Sequence, residues 1–163
     1  MTDNYIQLSK KDRLILKIRD EKGNDTGEYL EFDLEDIELP LKYQELLEKD
    51  KKNKERLRNQ ILIIDKKEDH KGKKMLSANE EAKIKAINEF FKEEIEIYNL
   101  FLGKNGVQKL LNGDKLGWTS LQMIDEIIEK QIAPKLEISM DNITKKIQEK
   151  YKQATIRNNE VLK

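Results

Sequence analysis

The residues best suited to bind a ligand lie near the start of the chain, in a segment that follows a stretch of alternating apolar and polar residues. Four side chains there supply oxygen atoms: Asp20, Asn24, Asp25 and Glu28. A calcium loop of the EF-hand type needs oxygen ligands at its first, third and fifth positions, and counting from Asp20 puts Lys22 at the third. Asp and Asn also favour turns, because their side chains accept hydrogen bonds from nearby backbone N–H groups. We therefore interpret this segment as a turn and predict no metal site.

Residues for covalent or acid–base catalysis are scarce. The chain has no Cys, which excludes a disulfide framework, thiolate zinc sites and a cysteine nucleophile. Its one His, His70, lies in a charged stretch with no second His or Ser to orient it for proton transfer. The adjacent pairs Glu80–Glu81 and Glu93–Glu94 diverge by about 100° on a helix, and neither glycine-rich phosphate-binding motif occurs. The sequence predicts no enzyme activity and no cofactor.

A basic region over residues 49–74 is the candidate for nucleic-acid binding. Acidic residues alternate with its lysines and arginines, and no aromatic ring among them can stack on a base. Over the chain, 32 basic residues balance 32 acidic ones, so no net charge attracts nucleic acid or acidic membranes. This pattern favours a solvated helix and loop laced with ion pairs. The basic residues of the region are Lys49, Lys51, Lys52, Lys54, Arg56, Arg58, Lys66, Lys67, Lys71, Lys73 and Lys74.

The first part of the chain predicts a β-hairpin. Apolar and polar residues alternate over Leu14–Ile18 and again over Glu28–Leu34, which indicates strands with one buried face. Turn-forming residues fill Asp20–Gly27 between them. Because two strands alone are marginally stable in water, the hairpin must pack on helices or on another chain.

The pattern becomes helical after Pro40, which suits the first turn of a helix. Residues 50–56 are polar on every side, so we expect this helix to project into solvent or to break there. Residues 65–74 are charged throughout and predict a loop.

The helix predicted over residues 77–102 has the widest apolar face and is expected to be the central element. Ser77 and Glu80 form a capping box at its start, and Gly103 suits its C-terminal cap. Its predicted core positions, spaced by three and four residues, are Ile84, Ile87, Phe91, Ile95, Tyr98 and Leu102, with Phe90, Ile97 and Phe101 widening the face.

Two further helices are expected on either side of Pro134. Thr119 and Gln122 fit a second capping box, with Trp118 and Met123 placed as a hydrophobic staple. Pro134 is expected to bend or restart the helix. A long apolar stripe then belongs either to the core or to an interface for a client or a second copy. The candidate partner-binding residues are Ile132, Leu136, Met140, Ile143, Ile147 and Tyr151.

The length of 163 residues predicts a single domain, with a β-hairpin leader over 1–36, a helical body over 37–156 and a frayed tail over 157–163. The expected fold class is mainly α with a small N-terminal β-hairpin (α+β), with four to five helices in an irregular bundle. The first residues lack the basic and apolar regions of a signal peptide, and no apolar run approaches about 18 residues. We therefore expect an intracellular protein.

The chain resembles a phage protein family in its layout. A β-hairpin precedes a charged helical body that contains LFLGKNGVQKLLNG at Leu100–Gly113, a helix capped by Trp118 and QIAPKL at Gln131–Leu136. This plan, followed to about Lys152, is similar to that of the tail assembly chaperones of long-tailed bacteriophages and prophages of low-GC Gram-positive bacteria. The resemblance implies a helical protein of the bacterial host cytoplasm that binds the tape measure protein and tail tube subunits and is absent from the finished virion.

Two alternatives of other classes stay open. One is a structural head–tail or tail component that is retained in the virion. The other is a regulatory protein that binds nucleic acid through the basic region over residues 49–74.

Overall fold

The computed structural model describes residues 3–8 and 11–161. Residues 1, 2, 9 and 10 of the predicted leader and residues 162 and 163 of the predicted tail lie outside them. The described elements are β1 (Arg13–Arg19), β2 (Asp25–Asp33), α1 (Leu39–Asp65), α2 (Ala78–Leu102), α3 (Gly106–Leu111), α4 (Trp118–Ile127), a π-helical turn (Ile128–Ile132) and α5 (Ala133–Val161). The predicted fold class, mainly helical with an N-terminal hairpin, is confirmed. The π-helical turn joins α4 and α5, so the described helices number four or five depending on whether this pair is counted once.

The hairpin pairs antiparallel, with Leu14 opposite Phe32 and Leu16 opposite Leu30. Its turn is closed by the Asp20 carboxylate, which accepts hydrogen bonds from the backbone N–H groups of Lys22 (3.0 Å) and Asn24 (2.8 Å). Asp20, one of the candidate calcium ligands, thus uses its carboxylate to accept hydrogen bonds from backbone N–H groups of the turn.

The hairpin packs against the C-terminal end of α2. The ring centroid of Phe101 lies 5.5 Å from that of Phe32 in β2 and 5.4 Å from that of Tyr43 in α1. The backbone at the start of α3 lies very close to the end of α2. A Cβ atom added to Gly106 would lie 2.5 Å from the Cβ of Leu102. Glycine at this position lets the short helix lie directly against α2.

The limits of α2 agree with the sequence prediction, and its buried face agrees in part: every predicted core residue of this helix except Ile84 is buried or partly buried, but Glu94 was not expected among them. The Ser77 hydroxyl accepts a hydrogen bond from the N–H of Glu80 (3.1 Å), and Gly103 follows the helix with φ of +95°. The most deeply buried positions follow the spacing 90, 94, 97, 98, 101 and 102. Ile84 is therefore largely exposed and Phe91 only partly buried, because the helix is rotated so that Glu94 lies at the centre of the buried face.

Neither expectation for residues 50–56 holds, because helix α1 is unbroken and this part of it packs on α2. Its polar stretch packs against α2 because Asn53 points inward and is buried beside Leu57. The Asn53 side-chain amide donates hydrogen bonds to the backbone carbonyl of Phe90 (3.2 Å) and to the Glu94 carboxyl (2.8 Å). The segment therefore forms a helix–helix contact and does not project into solvent.

The predicted capping box and staple at the start of α4 are wrong. The helix begins at Trp118 with Gly117 as its N-cap, and the Ser120 hydroxyl accepts a hydrogen bond from the N–H of Gly117 (2.8 Å). The Trp118 ring packs on Phe91 and Phe90, at centroid distances of 4.7 and 5.4 Å, instead of stapling Met123. This aromatic contact brings Trp118 into the first turn of the helix.

Pro134 does not break the chain into two helices. The π-helical turn just before it, over Ile128–Ile132, accommodates the missing backbone donor, and α5 then runs to Val161. The described residues of the predicted frayed tail, 157–161, are accordingly helical. The Ser139 hydroxyl donates a hydrogen bond to the backbone carbonyl of Leu34 and ties the start of α5 to the end of the hairpin. Within the described residues, none of the helices is long and apolar enough to cross a membrane.

The rotation of α2 can be tested by comparing two adjacent aromatic residues. We expect Phe90→Ala to lower the free energy of unfolding by about 3–5 kcal/mol, because its ring is almost wholly buried. Phe91→Ala should cost less, since this ring is partly open to solvent beside Trp118. Urea unfolding of both variants measures the difference. A larger loss for Phe91→Ala would mean that the buried face follows the stripe predicted from the sequence.

Candidate functional site

The most distinctive surface is the C-terminal part of α5, which extends beyond the helical body. Every residue from 144 to 160 is exposed, a length of about 25 Å of helix. Ile147 and Tyr151 are 63% and 74% exposed although both are large apolar or aromatic side chains. Such a row of apolar residues at helical spacing is typical of a surface that another protein covers.

The structure divides the six candidate partner-binding residues into two groups. Ile132 and Leu136 are buried in the core and are not accessible to a partner. The other four lie on the same face of α5 further along the chain, where the helix leaves the body. Met140 is 39% exposed, and only Ile143 among the four is partly buried. We call this group the α5 stripe; its members are Met140, Ile143, Ile147 and Tyr151.

A second feature, a buried polar cluster between α1 and α2, was missed by the sequence analysis. Its centre is Glu94, whose residue surface is 0% exposed. One Glu94 carboxyl oxygen accepts the hydrogen bond from Asn53, and the Asp50 carboxyl group lies close enough to Glu94 to affect its protonation. Phe90, Ile97 and Phe101 surround Glu94 at helical spacing, but such a stripe does not by itself predict that the glutamate at its centre is buried.

Burial favours the neutral form of the Glu94 carboxyl in the folded protein. Burial raises its pKa to about 8, and the contact with Asp50 adds to the increase, whereas the hydrogen bond from Asn53 opposes it. A neutral Glu94 carboxyl can donate an O–H hydrogen bond to the Asp50 carboxylate. Such a bond would satisfy Glu94 Oε2 and Asp50 Oδ1, two buried oxygen atoms that have no other partner among the described residues.

The cluster continues to α4 through a small cavity of about 140 Å³. Here the Tyr98 hydroxyl donates a hydrogen bond to Asp125, and the Lys54 ammonium lies 2.9 Å from an Asp50 oxygen. Burial raises the pKa of both Tyr98 and Asp125 above their ordinary values. The residues that line the cavity are Tyr43, Leu46, Leu47, Asp50, Lys54, Tyr98, Asp125, Ile128 and Glu129.

A carboxyl group with a pKa near neutrality is also what a general acid requires. Glu94, however, has no solvent-exposed surface, and its oxygen atoms already contact Asn53 and Asp50. A substrate cannot reach it without separating α1 from α2. We therefore interpret the cluster as a group of contacts that fixes how these two helices pack.

The basic region is partly neutralised by neighbouring acidic groups. The Lys49 ammonium lies 2.8 Å from Glu45, and the Lys54 ammonium lies 2.9 Å from Asp50. The Arg56 guanidinium donates a hydrogen bond to the side-chain oxygen of Asn53 (2.7 Å). A groove of about 400 Å³ between α1 and α2 exposes both signs of charge. Its lining residues are Lys49, Lys52, Asn53, Arg56, Glu93, Glu96, Ile97 and Leu100.

Neither a metal centre nor a similar protein adds to this geometry. The part of the chain that the structure describes contains no group of three or more His, Asp and Glu side chains placed to hold a metal ion. No protein-family model, curated protein sequence or solved structure matches the chain.

The neutral state of Glu94 leads to a prediction about pH. Between pH 4.5 and about 8 the folded protein holds a proton on Glu94 that the unfolded chain has released, so stability falls as the pH rises through this range. Glu94→Gln keeps a donor and an acceptor but has nothing to ionise. We expect it to be more stable than the wild type at pH 8 and to lose this part of the pH dependence.

The measurement is urea unfolding of both proteins at intervals from pH 4.5 to 8.5. The matched control is Glu96→Gln, two residues along α2, where the side chain is exposed and the profile should stay like that of the wild type. Parallel profiles for the wild type and Glu94→Gln would show that Glu94 is already ionised in the folded protein.

Proposed function

We propose that this protein is a non-enzymatic assembly factor that holds other proteins through the α5 stripe, as a tail assembly chaperone of a long-tailed phage or prophage. It acts in the cytoplasm of the bacterial host, where it binds the tape measure protein and tail tube subunits before they assemble. The observation that carries the proposal is the exposure of Ile147 and Tyr151 on a helix that leaves the body.

The chemistry of this surface suits reversible binding of helical clients. A free amphipathic helix can lie along a partner helix or in a groove, with anchors at spacings of three and four residues. Met140 adds an unbranched, polarizable side chain that adapts to differently shaped partners. Because the stripe begins where the core ends at Leu136, a bound client would continue the packing of the body without a gap.

A double substitution tests whether the stripe binds clients. We expect Met140→Asp with Ile147→Asp to abolish co-purification of the tape measure and tube proteins from cells that express all three. Both side chains are substantially exposed, so far-UV circular dichroism and thermal unfolding should stay close to those of the wild type.

The matched control is Ile138→Asp with Ile156→Asp, which places the same charges on the opposite side of α5. These side chains are 56% and 57% exposed, so the loss of apolar surface is similar. Retained binding in the stripe variant would contradict the proposal, as would equal losses in both variants.

Virion composition separates the chaperone from a structural component. Mass spectrometry of purified virions of the encoding phage should detect the tube protein and not this chain. Detection at stoichiometric level would favour the tail-component alternative. A salt-dependent gel shift of DNA or RNA, lost on reversing the charges of Lys49 and Lys52, would favour the nucleic-acid-binding alternative.

A further inference from the structure

The exposed part of α5 has one charged edge beside its apolar stripe. Three basic residues lie along one side of the helix, next to Ile143 and Ile147, because they are spaced by four and then seven positions. They are Lys146, Lys150 and Arg157. All three are exposed, and none forms an ion pair within the part of the chain that the structure describes. We call these three residues the basic edge.

Beyond residue 143 the other edge of the stripe has no charge, since the residues at the equivalent spacing are Thr144, Gln148 and Thr155. Asp141, seven residues before Gln148, lies in line with this edge at its start. Two further acidic residues, Glu149 and Glu160, lie on the half that faces away from the stripe. Beyond residue 143 the stripe therefore has a positive border on one side and a neutral border on the other.

This asymmetry argues against a second copy of the chain as the occupant. In a parallel pair of helices each basic edge would face the neutral edge, and no ion pair would form. In an antiparallel pair like edges would face each other, which would bring Lys146, Lys150 and Arg157 of the two copies together. Neither arrangement gives the basic edge an opposite charge.

We propose that the α5 stripe binds an amphipathic helix of another protein whose own apolar stripe is bordered by carboxylates on the side that meets the basic edge. This inference rests on the proposed function, because it assigns the chemistry of the partner to the same surface. Apolar contacts with Met140, Ile147 and Tyr151 supply affinity, and the basic edge selects partners by charge and fixes the orientation of the bound helix.

A protein partner fits this surface better than a lipid surface does. A helix that lies in a membrane interface has a strongly basic polar face and a broad apolar one. Here the polar face includes Asp141, Glu149 and Glu160, and the apolar stripe is one residue wide at each turn.

Two labelled peptides of about 20 residues test the charge preference with the full-length protein. Both carry a leucine and isoleucine stripe at helical spacing; one has glutamates along one edge, and its twin has lysines at the same positions. By fluorescence anisotropy at low salt, we expect the glutamate peptide to bind at least about tenfold more tightly. The ratio should shrink at high salt because the charges are exposed.

Charge reversal of the basic edge completes the test. Lys146→Glu with Lys150→Glu should invert the preference between the two peptides, whereas Lys145→Glu with Lys152→Glu, which changes the net charge equally on the opposite half of the helix, should leave it unchanged. An unchanged preference in the edge variant, or equal binding of both peptides, would overturn the inference.

Three other results would also overturn it: no binding of either peptide, tight binding of the wild type to phosphatidylserine vesicles without a peptide preference, and a concentration-dependent dimer lost on substituting Met140 and Ile147. If both peptides bind equally and the Met140→Asp, Ile147→Asp variant binds neither, the inference fails while the proposed client-binding surface stands.

Discussion

The packing of α1 against α2 depends on a carboxyl group that is buried without its charge. Glu94 lies at the centre of the buried face of α2. The other buried residues of this face are apolar or aromatic: Phe90, Ile97, Tyr98, Phe101 and Leu102. An ionised carboxylate there would be costly to bury, so burial raises the pKa of Glu94 and favours its protonated form, which accepts a hydrogen bond from Asn53 and can donate one to Asp50. These directional contacts can form in one relative position of the two helices, whereas apolar side chains alone would tolerate several.

The position of α2 in turn determines what can cover the rest of the body. The hairpin packs on its C-terminal end through Phe32 and Phe101, and Trp118 packs on Phe90 and Phe91 near its middle. These contacts leave the start of α5 beside the end of β2, and Leu136 is the last buried apolar residue in the part of the chain whose burial is described. No described element lies further along to cover the residues that follow.

The sequence was sufficient for the class of fold and for most element limits, because strand alternation, Ser77 and Gly103 are local signals. It was insufficient for the buried face of α2, since an apolar stripe does not reveal that a glutamate can lie at its centre. Asn53 was hidden in a uniformly polar segment for the same reason: its burial depends on a partner 41 residues away. The candidate stripe on α5 was visible as a pattern, but only tertiary packing divides it between core and surface at Leu136.

The two features of the molecule have complementary physical roles. The exposed apolar side chains on α5 can associate with any apolar surface. The helical body must therefore hold one arrangement of its own core, so that its buried apolar side chains do not become exposed as well. The polar contacts of Asn53 and Glu94 do this by specifying how α1 and α2 pack, since a shifted arrangement would leave a buried donor or acceptor without a partner. Selection between partners of the α5 stripe then depends on the basic edge of the helix. These charges stay exposed to water in the free protein, so they carry no desolvation penalty there.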